Sequence, residues 1–169
     1  MKKLFVVLAI VFTTIIGGNA SAGELNVAEV MQNLRKTTAP ETVYITEFYT
    51  AFIQGFYLSS GRMPNEKQLE KILDIITDTT FDGIVETLKK DGIYDEWCQL
   101  QLDKDHFVYT EKILRACTLK ELIAASGEMT TFARKRYPRL MSTMDKNPVY
   151  PGLIVQLTQK CCLVFTEGK

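Results

Sequence analysis

Residues 41–59 constrain this chain more than any other stretch. Tyr44, Phe48, Phe52 and Phe56 recur every four residues, and Val43, Ile45, Tyr49, Ile53 and Tyr57 fill much of the remainder. The polar side chains Thr42, Thr46, Thr50 and Gln54 form a single stripe four residues apart. A helix with so narrow a wet face is expected to be central, with other helices packed around it and the threonine stripe turned to water. Core packing accounts for the aromatic stripe better than a ligand pocket does, because so much ring area must be buried.

Helical spacing continues on both sides. Asn26 can cap a segment in which Val27, Val30, Met31 and Leu34 recur, ended by Ala39-Pro40. After Ser59-Ser60-Gly61, Pro64 and Asn65 open a helix with Leu69, Ile72, Leu73 and Ile76 as its seam. The pattern loosens at Thr77-Asp78-Thr79-Thr80 and resumes with Phe81, Ile84, Val85 and Leu88. Residues 93–105 fit either a strand or a short helix. A helix over 107–117 follows, and Thr118-Leu119-Lys120-Glu121 reads as a capping box opening another. Ser126-Gly127 is expected to break that one, and Pro138 to kink or end the next. Asn147-Pro148 opens a last helix with Tyr150, Leu153, Ile154, Leu157, Cys161, Val164 and Phe165 along one seam. The expectation is an all-α, compact bundle of about six to seven short helices, tied by disulfides.

The first 22 residues carry an address. Met1-Lys2-Lys3 is a short basic start, residues 4–16 are uncharged and apolar, and Ala20-Ser21-Ala22 offers the small residues of a signal-peptidase site. The apolar run of about 13 residues is too short for the roughly 20 that span a bilayer. Residues 1–22 are therefore expected to be a cleaved signal peptide and 23–169 a single helical domain, periplasmic or secreted, without a transmembrane segment. The whole chain balances 20 basic against 20 acidic side chains, so loss of Lys2 and Lys3 leaves a net charge of about −2. That charge excludes nucleic-acid binding through bulk electrostatics, and the 46% apolar content excludes disorder.

Four cysteines remain: Cys98, Cys117, Cys161 and Cys162. In an oxidising compartment an even count argues for disulfides before metal. Neighbours on a helix point about 100° apart, so a Cys161–Cys162 bond would be severely strained. One is expected to pair with Cys98 and the other with Cys117. Cys98, His106 and the cysteine pair fit no zinc spacing.

Residues that carry chemistry are scarce. Asp78 to Gly83 resembles the front half of a calcium loop, but the position needing a bidentate glutamate is Lys89, so a turn between helices is expected instead. His106, the only histidine, follows an acidic turn and is expected at the surface or in a cap. No Gly-x-Ser-x-Gly setting occurs, and Asp95 and Glu96 are the carboxylates considered for glycoside chemistry. Arg134, Lys135, Arg136 and Arg139 form a basic cluster. Cations before Pro138 suit a helix C-terminus, and the alternative is a patch for an acidic protein partner or anionic headgroups.

Tyr49-Thr50-Ala51-Phe52-Ile53-Gln54-Gly55, then Met63-Pro64 and Gln68-Leu69-Glu70-Lys71-Ile72-Leu73, resembles the core of periplasmic immunity proteins against type VI secretion amidase effectors. The resemblance spans about residues 44–76. That family usually carries cysteines where this chain has Tyr49 and Arg62. The resemblance implies a small helical periplasmic protein that binds and blocks another protein. With no cofactor motif, the expected function is non-catalytic protein binding, as an inhibitor, an immunity protein or an accessory factor of an envelope machine. A small cell-wall-active or redox enzyme is the alternative.

Overall fold

The computed structural model describes residues 26–167; the expected signal peptide and its cleavage after Ala22 lie outside the described residues. Among the described residues the chain is all-helical, with eight helices and no strand. They are α1 (Val27–Lys36), α2 (Pro40–Ser60), a long α3, α4 (Tyr94–Leu102), α5 (Lys104–Leu114), α6 (Leu119–Arg136), α7 (Pro138–Lys146) and α8 (Val149–Thr166). Helix α3 is continuous: Glu66–Thr79 widens into a π turn at Thr80–Val85 and closes as Glu86–Lys90. The loosened pattern at Asp78–Gly83 is therefore a bulge inside one helix, not a turn between two.

Caps explain most of the boundaries. Asn26 accepts a hydrogen bond from the Glu29 amide at 3.2 Å, and Asn65 and Gln68 form a full capping box. Gly61 ends α2 in the left-handed region, φ +67°, where a side chain would be strained. Thr118 caps α6, but Glu121 accepts from the Cys117 amide rather than closing a box on Thr118. Ser126-Gly127 does not interrupt α6, whose hydroxyls at Ser126, Thr130 and Thr131 each donate to the carbonyl four residues back. Pro138 ends α6 and opens α7 at its first turn. Residues 94–102 are helix, because Trp97 and Leu100 must face the core one turn apart.

Helix α2 is central, in contact with α3, α4, α5 and α6. Its threonine stripe does not face water: Thr42, Thr46 and Thr50 are buried, while Tyr44, Phe48, Phe52 and Phe56 are only half-buried. The reversal has a steric origin. Threonines let neighbouring helices approach closely, and Thr50 meets its own hydrogen-bonding need by donating to the Thr46 carbonyl at 2.6 Å. The aromatic rings reach outward instead. Phe56 stacks on Phe165 of α8 with centroids 3.4 Å apart, and Tyr44 leans on Trp97 at 5.5 Å.

Two core clusters result. The first joins α1 and α2 to the front of α3 and the end of α8, through residues such as Leu34, Ile45, Ile72, Leu157 and Cys161. The second gathers Ile84, Leu88, Trp97, Leu140 and Tyr150 from the back of α3 and from α4, α7 and α8. Helix α8 lies antiparallel along α3. Gln68 donates to the Val164 carbonyl at 3.1 Å and Lys71 pairs with Glu167 at one end, while Leu153 covers Gly83 at the other. A Cβ at Gly83 would sit 2.9 Å from Leu153 Cδ2, so glycine permits that close approach.

Candidate docking surface

The four cysteines do not tie the last helix down: Cys98, Cys117, Cys161 and Cys162 are all free thiols. Cys161 is buried in the first cluster, and Cys98 packs against the second. Cys117 is exposed in the turn between α5 and α6, and Cys162 is exposed on the outer side of α8. The helical offset that forbids a Cys161–Cys162 bond also turns one thiol into the core and the other away from it. Burial, with Cys162 beside it, pushes the Cys161 thiol up to about 12. Cys98 is also raised, chiefly by burial.

The basic cluster is brought together, but its arginines are engaged within the chain. Arg134 forks onto Asp145, Arg136 lies 3.2 Å from Asp105 and 3.6 Å from Asp103, and Arg139 pairs with Glu96. These contacts hold the α6–α7 corner against α4 and α5. Lys135 has no ion-pair partner among the described residues. Asp103 is the hub on the other side. Its side chain is 8% exposed, caps α5 through the Asp105 amide at 2.9 Å, and accepts from the Tyr137 hydroxyl at 2.6 Å. Burial alone would raise its pKa, but those donors and Arg136 more than offset it and hold the carboxyl below its ordinary value.

His106 is buried rather than superficial, since the first turn of α5 faces α2. Its Nε2 lies 2.9 Å from Glu47 Oε2, which also accepts from the Thr110 hydroxyl at 2.7 Å. The His106 Nδ1 has no partner among the described residues. This network closes the α2–α5 contact, and at 3% exposure it offers no approach to a reacting molecule. Of the two candidate glycosidase carboxylates, Glu96 is committed to Arg139 and Asp95 stands exposed beside it. A shallow groove of about 660 Å³ between α5 and α6 is floored by Ala116, Ala124 and Ala125, with Lys112 and Glu128 paired at 2.6 Å across its rim.

Helices α3 and α8 each carry a distinctive exposed face. On α3 the exposed side chains include Glu66, Glu70, Asp74, Asp78, Asp82 and Glu86, one acid at every fourth position. Among the described residues only Glu86 of these six has an ion-pair partner, Lys89 at 3.7 Å. No basic residue lies between Lys71 and Lys89. On α8 Lys160 is the only charged residue in 18. Its outer surface exposes Val155 by 54% and Leu163 by 59%, with Cys162 between turns. Both features are written in the sequence, as a period-four row of acids on α3 and a single charge in α8. Among the described residues no helix is long and apolar enough to cross a membrane.

Comparison with known proteins is silent: no protein-family model matches the chain, and no curated protein or solved structure is significantly similar to it.

Proposed function

We propose that this chain is an exported, periplasmic, non-catalytic protein that acts by binding another protein, as an inhibitor, an immunity protein or an accessory factor of an envelope machine. The observation that carries the reading is the outer face of α8. Eighteen residues with one charge, and two aliphatic side chains more than half exposed, leave apolar surface uncovered. Large aliphatic side chains left exposed on one helix are surface that a protein interface can cover. The resemblance of α2 and the front of α3 to immunity proteins supports the same role. The arginines of the basic cluster contribute less to it, because their charge is largely matched inside the chain.

The test is photo-crosslinking in the native host, with a benzophenone amino acid at Val155 and, as control, at exposed Ser142 on α7. The expected result is one discrete adduct from Val155 in the envelope fraction and none from Ser142. Absence of an adduct at Val155, or the same ladder from both positions, would refute the reading.

A further inference from the structure

We infer that the outer face of α8 is covered by α8 of a second copy of this chain, the two helices lying parallel, with a Cys162–Cys162 disulfide across their two-fold axis. The inference rests on the reading of that face as a protein interface and names its occupant.

Register is the first observation. Gly152, Val155, Gln159, Cys162 and Thr166 follow one another in alternating steps of three and four, and all five are exposed. Steps that average 3.5 residues draw a nearly straight seam along a helix, the kind along which two helices pack at a shallow angle. Val155 and Cys162 stand seven residues apart on it. When two copies run parallel about a two-fold axis, residues in that relation each meet their own counterpart. Leu163 flanks the seam and is 59% exposed, so a second helix laid there also covers the most exposed aliphatic side chain of α8.

Charge selects the occupant. A two-fold axis sets every seam residue against its own copy, so a charge on the seam would meet a like charge. The seam of α8 carries none, and Lys160, the one charged residue of the helix, is turned about 100° from Gln159. The other exposed thiol lacks such a setting, because Cys117 sits among exposed Arg115, Lys120 and Glu121.

Area gives the thiol its part. An 18-residue helix is about 27 Å long and 10–12 Å across, so one face offers roughly 300 Å². A stable non-covalent interface takes about 800 Å² from each partner. The helix pair alone is therefore a weak, reversible contact, and a covalent bond on its axis makes it permanent. A thiol without a partner in its own chain is the usual source of such a bond in an exported protein. The bond forms by exchange with a small disulfide such as oxidised glutathione. The Cys162 thiolate of one copy attacks that disulfide, releases one glutathione thiolate and becomes a mixed disulfide. The Cys162 thiolate of the second copy then displaces the other glutathione. The two cysteines lose two protons and two electrons, and the glutathione disulfide takes them up as two thiols.

The test uses the exported protein, purified with its thiols reduced and then equilibrated with oxidised and reduced glutathione. Non-reducing electrophoresis and peptide mapping are expected to show a dimer bonded Cys162 to Cys162, returned to monomer by reductant. Cys117→Ser should form the dimer unchanged, and Cys162→Ser should not form it. Val155→Glu sets two like charges together two turns from the thiol and should cut the dimer yield about tenfold or more. Val108→Glu, at an equally exposed aliphatic residue of α5, should leave the yield alone. Unchanged thermal unfolding will show that these surface variants remain folded. Bonds through Cys117 in comparable yield, or a Val155→Glu variant that dimerises like the parent, would mark random oxidation of exposed thiols and overturn the inference. The photo-crosslink at Val155 separates this inference from the reading beneath it. An adduct of two copies supports both, an adduct with a different protein removes the second copy and leaves the interface, and no adduct removes both.

Discussion

Replacing Asp103 tests whether the basic cluster works as an internal clamp. The carboxylate does three things at once: it caps α5 through the Asp105 amide, accepts the Tyr137 hydroxyl, and sits 3.6 Å from Arg136. Asp103→Ala removes the cap, worth about 1 kcal/mol, and leaves a half-buried phenol without its acceptor, about 1–3 kcal/mol. A loss of roughly 3 kcal/mol follows, which for a chain of this size lowers Tm by about 6–12 °C. Asp103→Asn keeps the cap, since asparagine caps about as well as aspartate, and removes the charge alone. Its expected loss at neutral pH is about 1 kcal/mol.

The acid limb makes the test specific. Asp103 has its pKa held below the ordinary value near 3.9 in the folded protein, so its charge stabilises the fold fully above about pH 5. That contribution fades as pH falls through the folded pKa. The gap between parent and Asp103→Asn should therefore be constant from pH 5 to 7 and shrink towards zero in acid. Tyr137 stays a donor throughout, because burial and the bond to Asp103 push its phenol up to about 12. Urea unfolding followed by circular dichroism at several pH values measures both quantities. An Asp103→Ala variant within 0.5 kcal/mol of the parent, roughly the noise of a surface substitution, would refute the clamp. So would an Asp103→Asn gap that persists undiminished in acid.

Two further expectations follow from burial. Thr46→Val should raise stability by about 0.5–1 kcal/mol in the same assay, because the Thr46 hydroxyl is buried without a partner among the described residues and valine keeps the shape; a loss would mean that the hydroxyl is engaged. With a thiol reagent at pH 8, Cys117 and Cys162 should react first and Cys98 more slowly, while Cys161 waits for unfolding; early labelling of Cys161 would contradict its place in the core.

Much of the bundle was legible because caps and seams act locally. Asn26, Asn65 and Thr118 each start a helix where a short polar side chain can reach the amide three residues on, and Pro138 can only stand at a first turn. The seam of α8 was equally legible, since Tyr150, Leu157, Cys161, Val164 and Phe165 share one face and are all buried. The threonine stripe of α2 was misread for a reason that recurs in buried helices. Polarity scales count the hydroxyl, yet in a helix the preceding carbonyl can satisfy it, and what remains is a small β-branched surface suited to close packing. The cysteine pairing failed differently. An even count and a presumed compartment say nothing about which thiols the fold brings near each other, and here Cys98 and Cys161 belong to different clusters. His106 was hidden by the same non-locality, because its partner Glu47 lies 59 residues away on α2.

The acidic row and the π turn of α3 are one feature seen from two sides. A row in steps of four advances about 40° per step around an ideal helix of 3.6 residues per turn, so five steps carry it through about 200°. Yet Glu66 and Glu86 are both exposed, and Ile72, Ile76, Thr80, Ile84 and Leu88, also in steps of four, are all buried. The acidic row can keep its face over 20 residues, and the buried row over 16, only if the helix is locally underwound. The π turn at Thr80–Val85 provides that, because its wider ring accommodates an extra residue and turns the following segment back. The Thr80 hydroxyl bonds to the Ile76 carbonyl at 2.7 Å where the widening begins, and Gly83 admits Leu153 within it. A period of four in the sequence thus explains why the pattern loosened at Thr77–Thr80. It also explains how Asp82 and Glu86 stay on the outside, in line with Asp74 and Asp78, while Ile84 and Leu88 still reach the core.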